Sequence, residues 1–166
     1  QDGVETFAIR PGYSGKVVFE GELGAVIGKR CKGVTPAQAP EYIFGYTCVN
    51  DVTAGNLLKL DPNFVHWTRA KSFDGFGPFG PCIATGLDPA DMRVHVALAG
   101  EEKQNYPVAD MIFSPAEIVS RISGDMTLEP GDIVSCGTSI GACPMQDGDR
   151  VEVSIPGIGV LTNRFG

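Results

Sequence analysis

Short runs of alternating apolar and polar residues, separated by turns rich in glycine and proline, dominate this chain. The first run is KVVFEGELGAVIG at positions 16–28. Its apolar side chains fall on one face with a period of two, namely Val17, Phe19, Leu23, Ala25 and Ile27. Glu20 and Glu22 fall together on the opposite face. The period of two predicts an extended segment with one apolar and one acidic face.

Later segments also have the pattern of strands joined by turns. VHVALAG followed by EEKQNYPV predicts a hairpin that turns at Gly100. LEPGDIVSCGTSIG predicts a turn, a strand and a loop, and DGDRVEVSIPGIGVLTNRF predicts two strands around Pro156-Gly157. KSFDGFGPFGP, positions 71–81, combines glycine, proline and aromatic residues and predicts a loop with an imposed backbone shape.

Helical signals are fewer and short. SPAEIVSRIS is the clearest helix, with Ser114 as N-cap, Pro115 as first helical residue and Glu117 completing a capping box. TPAQAPEYI predicts a short helix with Thr35 as its N-cap and a proline after it. TAGNLLKL, positions 53–60, predicts another, although Gly55 in its middle costs about 1 kcal/mol relative to Ala. Strands therefore outnumber helices, and the fold class is mostly β (α+β).

Composition narrows the class of protein. The chain has 166 residues, a size typical of a single domain, and shows no linker or repeat, so we treat 1–166 as one domain. Lys+Arg 13 against Asp+Glu 20 gives a net charge of −7, which argues against nucleic acid and anionic membranes as partners. No apolar run approaches the roughly 18 residues needed to cross a bilayer. Because the sequence begins at Gln1, it is expected to be a processed or partial product that lacks an upstream segment.

The cysteines and histidines offer little support for a metal or nucleophile site of their own. Five cysteines are an odd number, and none forms a CxxC pair, which argues against a disulfide framework and a zinc ribbon. We interpret them as reduced thiols in a cytoplasmic protein. His66 and His95 have no catalytic motif around them, so structural roles are favoured for both.

The acidic face of the first strand is the first candidate site. Glu20 and Glu22 lie two residues apart, which places their carboxylates on one face, roughly 6.5–7 Å apart along the strand. Two anions held there repel each other unless a cation or a proton intervenes, and Mg²⁺ prefers such oxygen ligands. Taken alone, the pair is more typical of a solvated strand face. Asp51 follows Asn50 at the end of another apolar strand, where a helix cap is the alternative role.

Two further segments could meet an anionic substrate. Lys71 lies in RAKSFD, just before the glycine- and proline-rich loop. Lysine is usually a surface charge, but beside a metal-bound anion it would orient and polarise that anion. The Gly137-Thr138-Ser139 loop offers backbone N–H groups and hydroxyls that could receive a carboxylate or an enolate, although a Gly/Ser turn is weak support by itself.

Several blocks occur together in one order: GELGAVIG after a glutamate, GYTCVNDVTA, RAKSFDGFGPFGP, DMIFSPAEIVSRIS, LEPGDIVSCGTSIG and GDRVEVSIPGIGVLTN. From about residue 5 to its end the chain resembles the C-terminal catalytic domain of the fumarylacetoacetate hydrolase family. Within that family it is more similar to bacterial 2-keto-4-pentenoate hydratases and oxo-dicarboxylate isomerases than to the two-domain hydrolase of tyrosine breakdown. The resemblance implies a compact, mixed-sheet β roll with a few short helices and a homodimer.

The resemblance also implies roles for particular residues. A family metal site of Mg²⁺, with Mn²⁺ or Ca²⁺ as alternatives, would be held here by Glu20, Glu22 and Asp51. The family's substrate contacts match Lys71, Gly137 and Thr138, of which Lys71 and Thr138 are expected to act in catalysis. The implied activity is that of a hydrolase, lyase or isomerase that acts on small 2-oxo or 1,3-dicarbonyl acids through a metal-stabilised enolate, in catabolism of aromatic or related compounds.

Two departures qualify this expectation. Where relatives carry Arg and Gln that reach toward the substrate, this chain has Gly55 and Leu58, so we expect a substrate with a neutral tail. The family's catalytic dyad lies upstream of the two glutamates, and residues 1–19 contain no histidine. The alternative function is therefore a non-catalytic or repurposed member that binds metal or a small acid. A third is a plain β domain with solvated acids.

Overall fold

The computed structural model describes residues 5–7 and 13–166. The strands within these residues are β1 (Glu5–Phe7), β2 (Val17–Val18), β3 (Gly21–Ile27), β4 (Ile43–Asn50), β5 (Thr53–Ala54), β6 (Phe79–Ala84), β7 (Arg93–Leu98), β8 (Glu101–Pro107), β9 (Ile133–Ser135), β10 (Arg150–Ile155) and β11 (Gly159–Phe165). The helices are α1 (Trp67–Lys71) and α2 (Pro115–Asp125), with short 3₁₀ helices at Ala39–Glu41, Gly55–Lys59, Pro89–Asp91 and Val108–Asp110. Among the described helices, none has the length and apolar character needed to cross a bilayer.

These strands form two large sheets and one small one. A five-stranded sheet has the order β1-β11-β10-β7-β8, and a four-stranded sheet has the order β6-β4-β3-β9. β2 and β5 form a separate two-stranded ladder. β1 pairs with β11 in parallel, while the other pairings are antiparallel. The mostly β, mixed-sheet architecture with few short helices is therefore confirmed.

The core lies between the two large sheets. It is lined by Leu23, Ala25 and Ile27 of β3, Val94 and Val96 of β7, and Val151, Val153 and Ile155 of β10. At Gly21 the two sheets come so close that an added Cβ would lie 2.2 Å from Cγ2 of Val96. The close approach explains why the sequence has glycine between the two glutamates, since any side chain there would collide with the opposite sheet.

The second face of β3 is buried as well, which the alternation of apolar and acidic residues did not predict. Every residue of β3 is buried, including Glu22 and Val26. β3 is a central strand between β4 and β9, and the site of Gly24 on this face is crowded by side chains of Thr47, Val49 and Ile133. A strand's own sequence cannot reveal this second layer, because the covering side chains come from other strands.

The strongest local signals are confirmed. β7 and β8 form the hairpin, whose turn at Ala99-Gly100 has φ values of 50° and 83°. β10 and β11 pair around Pro156-Gly157, and β9 follows the predicted turn. α2 begins at Pro115 with the complete Ser114–Glu117 capping box.

The weaker local signals give different structures. The extended segment 16–28 divides into β2 and β3 at Phe19-Glu20. The helix expected after Thr35 is a 3₁₀ helix that begins only at Ala39. In the segment 53–60, Thr53–Ala54 is a strand because it pairs with Val17–Val18, and 3₁₀ structure begins at Gly55. α1 was not predicted, because a helix of five residues is too short to show a periodic pattern.

Candidate metal centre

Three carboxylates converge at one end of the four-stranded sheet. One ligand oxygen from each of Glu20, Glu22 and Asp51 lies within 4.8 Å of the others. β3 and β4 are antiparallel, with Gly21 opposite Asn50, so the residue before β3 lies beside the residue after β4. The Asp51 amide donates to the Glu20 carbonyl oxygen at 2.8 Å. The predicted trio is thus brought together by the pairing of two strands.

Asn50 fixes the backbone at this junction. Its Oδ1 accepts from the Glu20 amide at 3.1 Å, and its Nδ2 donates to Oδ1 of Asn163 on β11 at 3.3 Å. Both asparagines are fully buried. The alternative role of Asp51 as a helix cap is wrong, because Asp51 precedes strand β5 and the following 3₁₀ helix has Ala54 at its N-cap.

Glu22 is the most enclosed of the three carboxylates. The residue is 3% exposed, which excludes for it the alternative of a solvated strand face. Its Oε2 accepts from the Ser135 hydroxyl and, at 2.7 Å, from the Gly137 amide. The pKa of Glu22 is raised to about 7, chiefly by burial; the Ser135 and Gly137 hydrogen bonds and the charge of Lys71 oppose that rise, and the charge of Asp51 adds to it. The protein thus holds a carboxylate where water cannot stabilise its charge, as expected of a group that is paired with a cation.

Lys71 lies against the other two carboxylates. As the last residue of α1, it places Nζ 2.9 Å from Oε2 of Glu20 and in contact with Oδ2 of Asp51. Burial alone would lower the pKa of Lys71, but the hydrogen bonds and charges of Asp51 and Glu20 outweigh burial and raise that pKa. Lys71 is therefore a charged member of the site and not a free surface lysine.

The charges and donor atoms of the site fit a hard divalent cation. When all three carboxylates are ionised, as metal binding requires, they carry together with the Lys71 ammonium a formal charge of −2, which one divalent ion would cancel. Carboxylate oxygens are the ligands preferred by Mg²⁺ and Ca²⁺, and a three-carboxylate set leaves positions for water and substrate. Glu20, Glu22 and Asp51 are the residues that would hold such an ion.

The Gly137-Thr138 loop is adjacent to the carboxylates. Gly137 donates its amide to Glu22, and its carbonyl oxygen lies 3.3 Å from the Tyr106 hydroxyl oxygen. The Thr138 hydroxyl donates to the Gly21 carbonyl at 2.9 Å and accepts from Nε2 of Gln104 at 2.9 Å. Its one hydroxyl hydrogen is used inside the protein, and the substrate contacts of Thr138 and Gly137 stay predictions.

Two buried residues next to the site were missed in the sequence. Gln104 and Tyr106 lie two apart on β8, and both are buried on the face toward the four-stranded sheet. The sequence did contain a signal for them. β8 is a half-buried strand, and the alternate positions that face inward carry polar or amphipathic side chains instead of aliphatic ones. Ser135, which donates to Glu22, has no comparable signal, because its partner is 113 residues away.

The two residues that replace the family's Arg and Gln, Gly55 and Leu58, are apolar. Leu58 packs against a small buried cluster of Ala54, Leu57 and Ala70. Ala70 directly precedes Lys71 in the sequence. An added Cβ at Gly55 would meet nothing closer than 3.7 Å, so the backbone leaves space for a side chain there. These residues supply no charge toward a substrate.

A cavity of about 670 Å³ is lined in part by the Gly137-Thr138 loop. Its walls are largely apolar and include Tyr106, Met111, Ile112, Phe113 and Ile140. Of the described residues that line it, none is Lys, Arg or His, and Asp110 is the charged one. The size is in the range of small-molecule pockets, and the lining favours a neutral, apolar group over an anion.

The two histidines lie apart from this chemistry, whereas Cys136 lies between Ser135 and Gly137 and lines the cavity. Nε2 of His95 is 2.8 Å from Oε2 of Glu102 on the neighbouring strand β8, and the His66 ring contacts the Phe64 ring. These contacts are consistent with structural roles for both histidines. All five cysteines are free, as predicted, and three of them are buried.

The comparison with known proteins decides the family. The model described as "Fumarylacetoacetate (FAA) hydrolase C-terminal" matches residues 3–166. The chain belongs to the fumarylacetoacetate hydrolase family. The resemblance inferred from the sequence blocks is thereby confirmed.

Individual members of the fumarylacetoacetate hydrolase family are similar over nearly the whole chain. The uncharacterized protein MJ1656 of Methanocaldococcus jannaschii is 46% identical over 159 residues, covering 96% of this chain and 66% of that protein. The oxaloacetate tautomerase YisK of Bacillus subtilis is 36% identical over 158 residues, covering 89% of this chain and 52% of that protein. The structure of 2-hydroxyhepta-2,4-diene-1,7-dioate isomerase from Mycobacterium marinum has a TM-score of 0.92 and 44% identity, covering 98% of this chain and 63% of that one. The chain thus spans about two thirds or less of the length of these relatives.

Proposed function

We propose that this chain is the catalytic domain of a Mg²⁺-dependent enzyme that acts on small 2-oxo or 1,3-dicarbonyl acids. The observation that carries the proposal is the convergence of Glu20, Glu22 and Asp51 with Lys71 against them. When bound there, the ion would supply Lewis acidity toward the oxo and carboxylate oxygens and stabilise enolate charge. Mn²⁺ and Ca²⁺ are alternative ions.

The side chains of the site then have distinct tasks. Glu22, held by Ser135 and Gly137, keeps a fixed orientation, while Glu20 and Asp51 share the ammonium of Lys71. Lys71 would orient an anionic substrate and offset the negative charge that develops during the reaction. Gly137 and Thr138 would contact the substrate on the side opposite Lys71.

The reaction subtype stays open between hydrolysis, decarboxylation, hydration and isomerisation, because all of them pass through the same enolate. The similarity to an oxaloacetate tautomerase and to a 2-hydroxyhepta-2,4-diene-1,7-dioate isomerase is consistent with this chemistry. Catabolism of aromatic or related compounds is the setting that we propose for it.

We propose further that the substrate has a neutral tail. Gly55 and Leu58 provide no positive charge, and the cavity beside the Gly137-Thr138 loop is apolar and lined by no described cation. A distal carboxylate would therefore lack a charged partner on these surfaces, and an alkyl or aryl group would be favoured.

The test is a panel of 2-oxo and 1,3-dicarbonyl acids, assayed with the purified protein and Mg²⁺, Mn²⁺ or Ca²⁺. We expect turnover of a neutral-tailed acid, loss of that turnover with EDTA and its return on addition of metal. Turnover that is insensitive to EDTA would contradict the metal role. Calorimetry with each ion alone measures binding independently of any substrate.

A non-catalytic role that retains metal or small-acid binding is the second candidate. It is favoured by the positions of the two histidines. In the described part of the chain, His66 contacts Phe64 and His95 contacts Glu102, and neither contacts the three carboxylates of the candidate metal centre. Metal binding without turnover of any acid in the panel, by the full-length protein, would select this second role.

Two expectations about the assembly and the cell belong to the same proposal. A homodimer is consistent with exposed apolar side chains such as Ile112 and Ile140, which are 91% and 92% exposed. Light scattering after size exclusion would measure its mass. The five free thiols are consistent with the cytoplasm as the site of action.

A further inference from the structure

Gln104 is a buried polar side chain that joins the two large sheets beside the candidate metal centre. It is 2% exposed and lies on β8 of the five-stranded sheet. Its Oε1 accepts from the Gly21 amide at 3.1 Å, and its Nε2 donates to Oγ1 of Thr138 at 2.9 Å and to the Ser139 carbonyl at 2.8 Å. One amide group thus holds both the strand of the two glutamates and the loop after β9.

The strand is held at the peptide between its two acidic residues. The Gly21 amide donates to Gln104, and its carbonyl accepts from the hydroxyls of Thr138 at 2.9 Å and Tyr106 at 2.8 Å. Gly21 allows the close approach because it has no side chain to collide with Val96. A shift of this peptide would move the backbone on which both Glu20 and Glu22 are carried.

The loop is held at the same point. Gly137 donates to Glu22, and Thr138 donates to Gly21, so the loop follows the position of the strand. Further along, Gly141 approaches β8 so closely that an added Cβ would lie 2.0 Å from the Lys103 carbonyl oxygen. Gln104, the next residue of β8, therefore lies between the strand and the loop and contacts both.

We infer that Gln104 is a positioning residue that aligns the carboxylates of β3 with the Gly137–Ser139 loop. This inference rests on the proposed metal-dependent function. Partners that orient metal ligands from outside the coordination shell usually change metal affinity or activity by about 10- to 100-fold when they are removed. Gln104 does not contact the carboxylates themselves. It would act on them indirectly, through its hydrogen bond to the backbone between Glu20 and Glu22 and through its hydrogen bonds to the loop that donates to Glu22.

The experiment compares Gln104→Met and Gln104→Glu with the wild type. Met keeps the length and volume but removes both hydrogen-bonding groups, while Glu keeps the acceptor for the Gly21 amide and removes the donor for the loop. The readouts are the thermal midpoint, Mn²⁺ affinity by electron paramagnetic resonance, and kcat and KM for the acid that the wild type turns over best in the substrate panel. Ser123→Ala is the matched control, because Ser123 is equally buried and has two hydrogen bonds, to Val34 and Ser120, that are remote from the carboxylates.

We expect Gln104→Met to weaken Mn²⁺ binding by about 10-fold or more and to lower kcat/KM similarly. Gln104→Glu is expected to keep more of the Mn²⁺ affinity and to raise KM, because the strand retains its acceptor and the loop loses its donor. Ser123→Ala should lower the thermal midpoint and leave Mn²⁺ affinity and kinetics unchanged in the folded protein. If the Met variant does not fold, the Glu variant carries the comparison.

The outcomes separate this inference from the proposed function. A wild type that binds no Mn²⁺ would overturn both. A wild type that binds Mn²⁺, together with Gln104 variants that lose stability but keep wild-type affinity, kcat and KM, would overturn the positioning role alone.

Discussion

Two glutamates in this chain receive the same kinds of hydrogen bond and respond in opposite ways. Glu22 accepts from the Ser135 hydroxyl and the Gly137 amide. Glu117, at the start of α2, accepts from the Ser114 hydroxyl at 2.8 Å and the Ser114 amide at 2.8 Å. Burial is the main reason that the pKa of Glu22 is raised to about 7, whereas the Ser114 hydrogen bonds lower the pKa of the partly exposed Glu117.

The difference shows that donors alone do not decide the charge state of a carboxylate. Water stabilises the anion of Glu117, so its two hydrogen bonds add to that stabilisation. Glu22 has lost its water, and two hydrogen bonds do not replace it, so its anion needs a cation nearby. The capping box stabilises a helix end, and the Glu22 site is suited to hold an ion.

The largest effect is expected from Glu22→Ala. Removing one of three anionic ligands should weaken Mg²⁺ or Mn²⁺ binding by more than the roughly 10- to 100-fold typical of a lost outer partner. Glu20→Ala and Asp51→Asn should also lose tight binding. Glu117→Ala is the control and should leave metal affinity unchanged. Isothermal titration with Mn²⁺ measures the effect, and unchanged affinity in the Glu20, Glu22 and Asp51 variants would refute the metal assignment.

The thermal midpoints of the same variants should distinguish the structural role of Glu22 from that of Glu20. Glu22→Ala leaves the Ser135 hydroxyl and the Gly137 amide without their acceptor, so its thermal midpoint should fall more than that of Glu20→Ala. Glu22→Gln restores an acceptor and should recover part of the midpoint while metal binding stays weak. A midpoint that is equal for all three variants would contradict the enclosed position of Glu22.

A positive charge added at Gly55 should change the choice of substrate. Gly55→Arg should raise affinity for diacids by about 1–3 kcal/mol, the scale of a charged hydrogen bond. An added Cβ at Gly55 would meet no atom closer than 3.7 Å, so the backbone tolerates a substitution there. Leu58→Gln should add a smaller contact, and the two should be non-additive because they share one ligand. The measurement is kcat/KM for matched mono- and diacids, and efficient diacid turnover by the wild type would overturn the expected selectivity.

Lys71→Met should lower turnover of an active oxo-acid by more than tenfold, about 1.4 kcal/mol of transition-state stabilisation. The same change removes a cation from between Glu20 and Asp51, so metal affinity should stay the same or increase. Arg30→Met, at an exposed ion pair with Glu129, is the control for loss of a surface cation. Wild-type kcat and KM in the Lys71 variant would refute its role in the reaction.

The smallest effect is expected in the exposed region. Ser114→Ala should lower the free energy of unfolding by about 1 kcal/mol through loss of the helix cap, with no change in metal affinity. Because the pKa of Glu117 lies below its ordinary value of 4.5, the Glu117 contribution is present above that pH and is lost as the pH falls through the lowered value. Urea unfolding at several pH values measures this. A cap effect that grows on acidification would contradict the assignment.

The features that sequence alone determined are those whose partners are close along the chain. The capping box of α2 joins residues three apart, and the β7–β8 turn lies within adjacent residues, so local stereochemistry specifies both. The blocks shared with the fumarylacetoacetate hydrolase family also identified Glu20, Glu22, Asp51 and Lys71, which the fold then brings together. Their convergence did not follow from spacing, because Lys71 is 51 residues from Glu20.

Tertiary structure alone decided the environment of each group. The second buried face of β3, the burial of Glu22 and its bond to Ser135 all depend on strands far away in the sequence. Gln104 reaches Gly21 across 83 residues, and Thr138 reaches it across 117. Hydrophobic period and propensity are properties of neighbouring residues, whereas desolvation and hydrogen bonding in the core depend on which strands pack together. The sequence therefore contained the carboxylates of the candidate site, and packing of the two sheets determined which of them lost contact with water.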